Sequence, residues 1–186
     1  YVRSLSEGGS AEDPNGLIAK GKINNFTYAA YKGSWDKLPD FSKLKPFKTG
    51  TAKSGTADPG LAGVGENFGV VFEGDIEIAK KGDYTFNLGS DDGTRLYING
   101  KLVVDNDGVH SMQAKKGKLA LEPGAAKLKL EYFEKSGEEQ LALDMSGPGI
   151  KRLQLAKQTI KPQRRGQAFP TGNPITITDE ARIYRN

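Results

Sequence analysis

Residues 82–100 read GDYTFNLGSDDGTRLYING, and the fold is decided there. Tyr84, Phe86 and Leu88 alternate with Thr85 and Asn87. Leu96 and Ile98 then alternate with Arg95, Tyr97 and Asn99. Successive side chains on a strand point to opposite faces, so this period of two predicts two half-buried antiparallel strands. Ser90-Asp91-Asp92-Gly93 interrupts the pattern between them. Asn99-Gly100 ends it and predicts a type I′ hairpin, whose two central residues both need positive φ.

The same period extends outward from Asn67 to Leu155. Upstream lie Phe68–Phe72, read as a first apolar strand, and Ile76 and Ile78 flanking Glu77. Downstream come Leu119 and Leu121, then Leu128, Leu130 and Tyr132, then Leu141, Leu143 and Met145, then Leu153 and Leu155. Gly and Pro turns separate the runs at Lys81–Asp83, Glu122–Gly124 and Ser136–Gly137. Short strands at this spacing predict an all-β, antiparallel sandwich or barrel-like fold with long loops. Before the series, Lys22–Tyr31 reads as a strand and Gly33–Pro39 as a loop. Thr49–Gly65, dominated by Gly, Ala, Ser and Thr, reads as a long surface loop. Only Leu17–Ala19 and Asp36–Leu44 suit short helices. The expected organisation is a lead-in over 1–16, a β-domain over 17–155, and a basic connector over 156–186 with a possible last strand at Ile175, Ile177 and Ile183.

Composition narrows the function. The chain has 186 residues and no cysteine, which excludes disulfides, thiolate metal sites and cysteine nucleophiles. No apolar run reaches the ~18–20 residues of a membrane span. The net charge of +4 invites a nucleic-acid reading, but residues 150–186 alone sum to +6, which leaves the body at −2. There is no groove-reading helix or stacked-aromatic signature, so nucleic acid is not expected as a partner. A start at Tyr1 without Met, and an ending within an ordered pattern, suggest a piece of something longer.

Ser90-Asp-Asp-Gly-Thr-Arg-Leu-Tyr-Ile-Asn-Gly100 is followed by Asp105-Asn-Asp-Gly108-Val-His110, Leu130-Glu-Tyr-Phe-Glu134 and Ser146-Gly-Pro-Gly149. In this order the motifs resemble the PA-fourteen domain family, a β-domain of adhesins, glycosidases, toxins and extracellular bacterial proteins, over about residues 17–150. The resemblance implies carbohydrate binding, often through calcium, in an extracytoplasmic and adhesin-like or lectin-like setting. The Gly33–Phe47 stretch and the ending Thr178–Arg185 are similar to segments of large secreted planctomycete-like proteins.

Adjacent strand residues face opposite ways, so Asp91 and Asp92 reach one ion only if the backbone between them is distorted. In the family's sugar-binding adhesins the matching pair is joined by a cis peptide. The resemblance therefore assigns Asp91 and Asp92 as a Ca²⁺ pair, with a sugar's vicinal hydroxyls completing the shell. Glu134 falls where the adhesins usually supply Asn, a departure that weakens the sugar assignment more than the metal one. On local chemistry alone the same aspartates read as an acidic turn.

His110, the only histidine, and Asp107 are expected to rim this site and to touch ligand. His110 has no recognisable nucleophile to activate, so a non-catalytic domain is expected. Glu138 and Glu139 read as solvated charge at a hairpin tip rather than a glycosidase pair. Trp35, Tyr28, Tyr31 and Phe41 read as packing rather than a sugar platform. The expected partners are a glycan or polysaccharide and neighbouring domains of a parent protein. The rival reading is a structural or protein-interaction module with no sugar ligand.

Overall fold

The computed structural model describes residues 19–157. Eleven strands form two sheets: β1 (Ala19–Lys20), β2 (Asn24–Lys32), β3 (Lys48–Thr51), β4 (Phe68–Ile78), β5 (Gly82–Asp91), β6 (Thr94–Ile98), β7 (Lys101–Asn106), β8 (Gln113–Leu121), β9 (Gly124–Glu134), β10 (Gln140–Gly147) and β11 (Ile150–Gln154). One sheet runs β1-β11-β10-β5-β8 and the other β3-β2-β4-β9-β6-β7. All pairs are antiparallel except β1 with β11. Among the described residues both sheets keep open edges, so the architecture is an all-β sandwich rather than a closed barrel.

The alternation read in the sequence is what fills the space between the sheets. Phe72, Ile76, Leu96, Ile98, Leu128, Leu130 and Tyr132 come from one sheet. Tyr84, Phe86, Leu88, Leu141, Leu143 and Met145 come from the other, and all join one buried cluster. Each fully buried side chain of this size is worth roughly 2 kcal/mol. The β6–β7 hairpin turns as its sequence requires, with Asn99 at φ 50° and Gly100 at φ 76°.

Two expectations are corrected. Phe68–Ile78 is one continuous strand, because Glu73 and Asp75 stay in register with Lys129 and Lys127 of β9. The stretch 49–65 is not simply a surface loop. Lys48–Thr51 pairs with β2, a short 3₁₀ turn forms at Pro59–Ala62, and Ala52, Ala57 and Ala62 are buried. Small side chains let that segment close over the sandwich edge, which its composition disguised. Of the two short helices, Asp36–Leu44 yields only a 3₁₀ turn at Phe41–Lys43, N-capped by Asp40. The lead-in, the connector beyond Lys157 and the possible last strand lie outside the described residues.

The N-terminal aromatics pack. Tyr28 belongs to the main core. Tyr31, Leu38, Phe41, Val71 and Phe133 form a second cluster, with Trp35 packed on it. The Tyr31 and Phe41 rings lie 4.9 Å apart. This cluster pins the loop after β2 against Phe133, one residue from Glu134.

Candidate metal centre

Three connections cross from one sheet to the other at the same end of the sandwich. They are Asp92–Gly93 between β5 and β6, residues 107–112 between β7 and β8, and residues 135–139 between β9 and β10. Register brings their strand ends together: Thr94 pairs with both Asn106 and Tyr132, and Asp91 pairs with Gln140. The Asp91–Asp92 peptide is cis. Carboxylate oxygens of Asp91, Asp92 and Glu134 lie within 4.8 Å of one another.

The chain holds each of these groups in place. Asp92 Oδ1 accepts the main-chain N–H of His110 at 3.0 Å, and Oδ2 accepts that of Lys135 at 2.9 Å. The main-chain N–H of Met112 lies near enough to the Asp91 carboxylate to oppose the rise of its pKa. Tyr132 Oη lies 2.6 Å from the Asp91 carbonyl and 2.8 Å from Glu134 Oε2. Glu134 is fully buried, and its other oxygen, Oε1, has no hydrogen-bond partner.

The electrostatics follow. Burial, with the neighbouring charges of Asp92 and Asp91, pushes the Glu134 carboxyl up to about 7, against the opposing hydrogen bond from Tyr132. Burial and the Asp92 charge also raise Asp91. A buried polar atom without a partner costs free energy. A cation among the three carboxylates removes that cost. Two oxygens that each lie about 2.4 Å from one calcium ion are at most about 4.8 Å apart, and calcium prefers carboxylate, carbonyl and water oxygens. The residues present therefore fit a hard divalent cation.

The other expected site residues take different places. Asp107 Oδ1 accepts N–H groups of Leu38 and Gly108 at 2.7 and 2.8 Å, and Oδ2 accepts Arg95 Nη2 at 3.0 Å. It stands outside the group of three carboxylates and acts as a brace tying 107–112 to the loop after β2. Its neighbour Asp105 pairs with Arg95, so this acidic run is not a calcium loop. His110 contributes its main-chain N–H. Its ring nitrogens lie 3.0 Å from the carbonyls of Ser111 and Asn106. Glu138 is exposed and accepts Gln140 Nε2 at 2.8 Å, while burial and Asp58 raise Glu139.

Asn106 and Tyr132 were not singled out in the sequence. Asn106 is fully buried. It donates to Ser90 Oγ and the Gln113 carbonyl and accepts from Gln113 Nε2 at 2.9 Å, joining β5, β7 and β8 beneath the site. Asn106→Ala strands these partners and is expected to cost about 2 kcal/mol, read as a lower denaturation midpoint at unchanged m-value. Two wider troughs, about 640 and 570 Å³, cross the outer face of the six-stranded sheet away from the three carboxylates. Lysines of the first are already ion-paired, Lys127 with Asp75 and Lys129 with Glu131.

A family model described as PA14 domain matches residues 29–156. No curated protein matches the chain. Among solved structures, the PA14 domain of the MpAFP antifreeze protein is 17% identical, with a TM-score of 0.56, covering 81% of this chain and 93% of that one. An anti-sigma factor domain-containing protein from Clostridium clariflavum is 20% identical, with a TM-score of 0.58, covering 88% of this chain; the chain spans only 53% of that protein. A PA14 sugar-binding domain from an RTX adhesin is 17% identical, with a TM-score of 0.50, covering 69% of this chain and 90% of that one. At these identities the likeness shows the fold.

Proposed function

Since the chain belongs to the PA14 domain family, we propose that it is a non-catalytic carbohydrate-binding module. It holds Ca²⁺ between Asp91, Asp92 and Glu134 and works within a larger extracytoplasmic bacterial protein. One observation carries this reading: three carboxylates from two connected regions converge within 4.8 Å, and one presents a buried oxygen without a partner. The sugar-binding adhesin domain among the similar structures supports the choice of ligand and of setting.

When bound, calcium supplies a centre that takes further oxygens from main-chain carbonyls, water or a sugar diol. The chain's own residues orient it. Backbone N–H groups from 110 and 135 fix the Asp92 carboxylate, and Tyr132 fixes Glu134.

Calcium is expected to raise the melting temperature. Binding to the folded state alone stabilises by about 2.7 kcal/mol at a hundred times Kd. Asp92→Ala should abolish that rise. The readout is the calcium-induced shift, because Asp92→Ala also strands two N–H groups and lowers the calcium-free melt. Glycan-array binding with calcium, lost in chelator, is the matching expectation. No wild-type shift at millimolar calcium would refute the ion site. A calcium shift with a silent array would instead support a structural or protein-interaction module stapled by the ion.

A further inference from the structure

We infer that Val109 and Met112 form an apolar lip on this ion site, and that the lip seats a methyl-bearing substituent, deoxy or N-acetyl, of the bound sugar. The inference rests on the proposed sugar-binding reading and narrows its ligand.

Among the described residues, the large apolar side chains left exposed are Leu44, Phe47, Leu102, Val109 and Met112. Val109, at 51% exposure, and Met112, at 39%, both lie in the connection whose His110 N–H holds Asp92 and whose Met112 N–H faces Asp91. Met112 is seated rather than dangling. A Cβ on Gly89 would stand 2.8 Å from Met112 Cε, so the missing side chain makes the notch that receives the thioether. Gly89 and Asp91 are two apart on β5 and share a face. With Ser90 opposite Gln113, Met112 comes next to the aspartate's end of β5.

The strip of β5 beside Met112 is apolar. Gly89 pairs in register with Ala114 on one side and Ala142 on the other. The main-chain N–H of His110 is already given to Asp92, and that of Met112 faces Asp91. A sugar with its diol on the ion sets an adjoining ring substituent over this strip. A hydroxyl placed over Gly89, Ala114 and Ala142 loses water against apolar groups, whereas a methyl group gains burial there.

The test is calorimetric titration in calcium with two matched pairs, L-fucose against L-galactose and N-acetylglucosamine against glucose. Wild type is compared with a Val109→Thr/Met112→Gln double variant, whose side chains are similar in size but polar and whose main-chain N–H groups are kept. In at least one pair the methyl-bearing sugar should bind about fourfold more tightly, the factor one buried methyl is worth. That advantage should fall to near unity in the variant. Which pair responds separates the deoxy source of the methyl from the N-acetyl source. Equal binding within both pairs, or an advantage that survives in the variant, overturns the lip and leaves the sugar-binding reading standing. Loss of the calcium-induced melt shift in the variant also overturns it, because the side chains would then belong to the ion site. Silence toward every sugar, on a glycan array as well, removes the sugar-binding reading and the lip with it.

Discussion

Glu134→Gln is expected to stabilise the calcium-free protein and to weaken the calcium-loaded one. The calcium-free half follows from the single proton of the Tyr132 hydroxyl. It faces two acceptors, the Asp91 carbonyl at 2.6 Å and Glu134 Oε2 at 2.8 Å, and can satisfy only one of them while Glu134 is ionised. A glutamine amide donates to Tyr132 Oη and leaves the tyrosine proton for the Asp91 carbonyl. The substitution also removes a charge that burial disfavours.

The pH dependence fixes the sign. The folded carboxyl sits at about 7, above its ordinary value of 4.5, so between these limits the folded state binds more protons than the unfolded one. Wild-type stability therefore falls as pH rises from about 4.5 to 7, by roughly 3 kcal/mol in full. An amide also loses hydration on burial, so the net gain of Glu134→Gln at pH 8 is expected to be about 2 kcal/mol, or roughly 5 °C. The gain should shrink as pH is lowered toward 4.5.

In calcium the order reverses, because the amide offers a weaker ligand and no charge. By the same linkage, wild-type calcium affinity should rise with pH up to about 7 and level off beyond it. Thermal melts in chelator and in calcium, at pH 5 and pH 8, read all four arms. A variant that melts lower in chelator and keeps the full calcium response would show that Glu134 serves packing and not the ion.

On the proposed reading Glu134 stabilises the fold only when a cation is bound. Tyr132-Phe133-Glu134 ends an alternating strand, and it is the family resemblance that marks Glu134 as a candidate ligand. The two aspartates interrupt a period of two, but on local chemistry they read as an acidic turn, and only the family resemblance makes them a metal pair. What the period could not reveal was the set of partners. Tyr132 reads as one more inward strand residue, and nothing local says that its hydroxyl links Asp91 to Glu134. Asn106 and Asp107 lie in an Asp-Asn-Asp-Gly run that looks like a turn. The structure instead buries Asn106 completely and commits Asp107 to Leu38, sixty-nine residues earlier. The sandwich itself was readable from alternation and Asn-Gly turn chemistry. The closing of 49–65 over the edge was not, because alanines carry no period strong enough to mark burial.

Gly93→Ala is expected to unfold the fold locally and empty the ion site together, through sterics alone. A Cβ at Gly93 would lie 2.4 Å from Phe133 Cε1, 2.9 Å from Gly108 N and 3.0 Å from Gly108 O. Phe133 is fully buried against Tyr31, Leu38, Phe41 and Val71, so its ring has no free direction. The backbones cannot part either, because Phe133 N–H donates to the Gly93 carbonyl at 3.0 Å. The strain must then move Gly108, two residues from the His110 N–H that holds Asp92. Overpacking of this kind costs about 3 kcal/mol, which predicts a melt lower by roughly 8 °C together with a much reduced calcium shift. A second substitution separates the two effects. Phe133→Leu placed in the Gly93→Ala background relieves the ring contact but not the contact with the Gly108 backbone. Part of the stability should return, as a favourable coupling in the double-mutant cycle, while the calcium response stays low. If Gly93→Ala alone melts with wild type and binds calcium equally well, the close approach is not what the glycine provides, and the connection 107–112 moves independently of the aspartates.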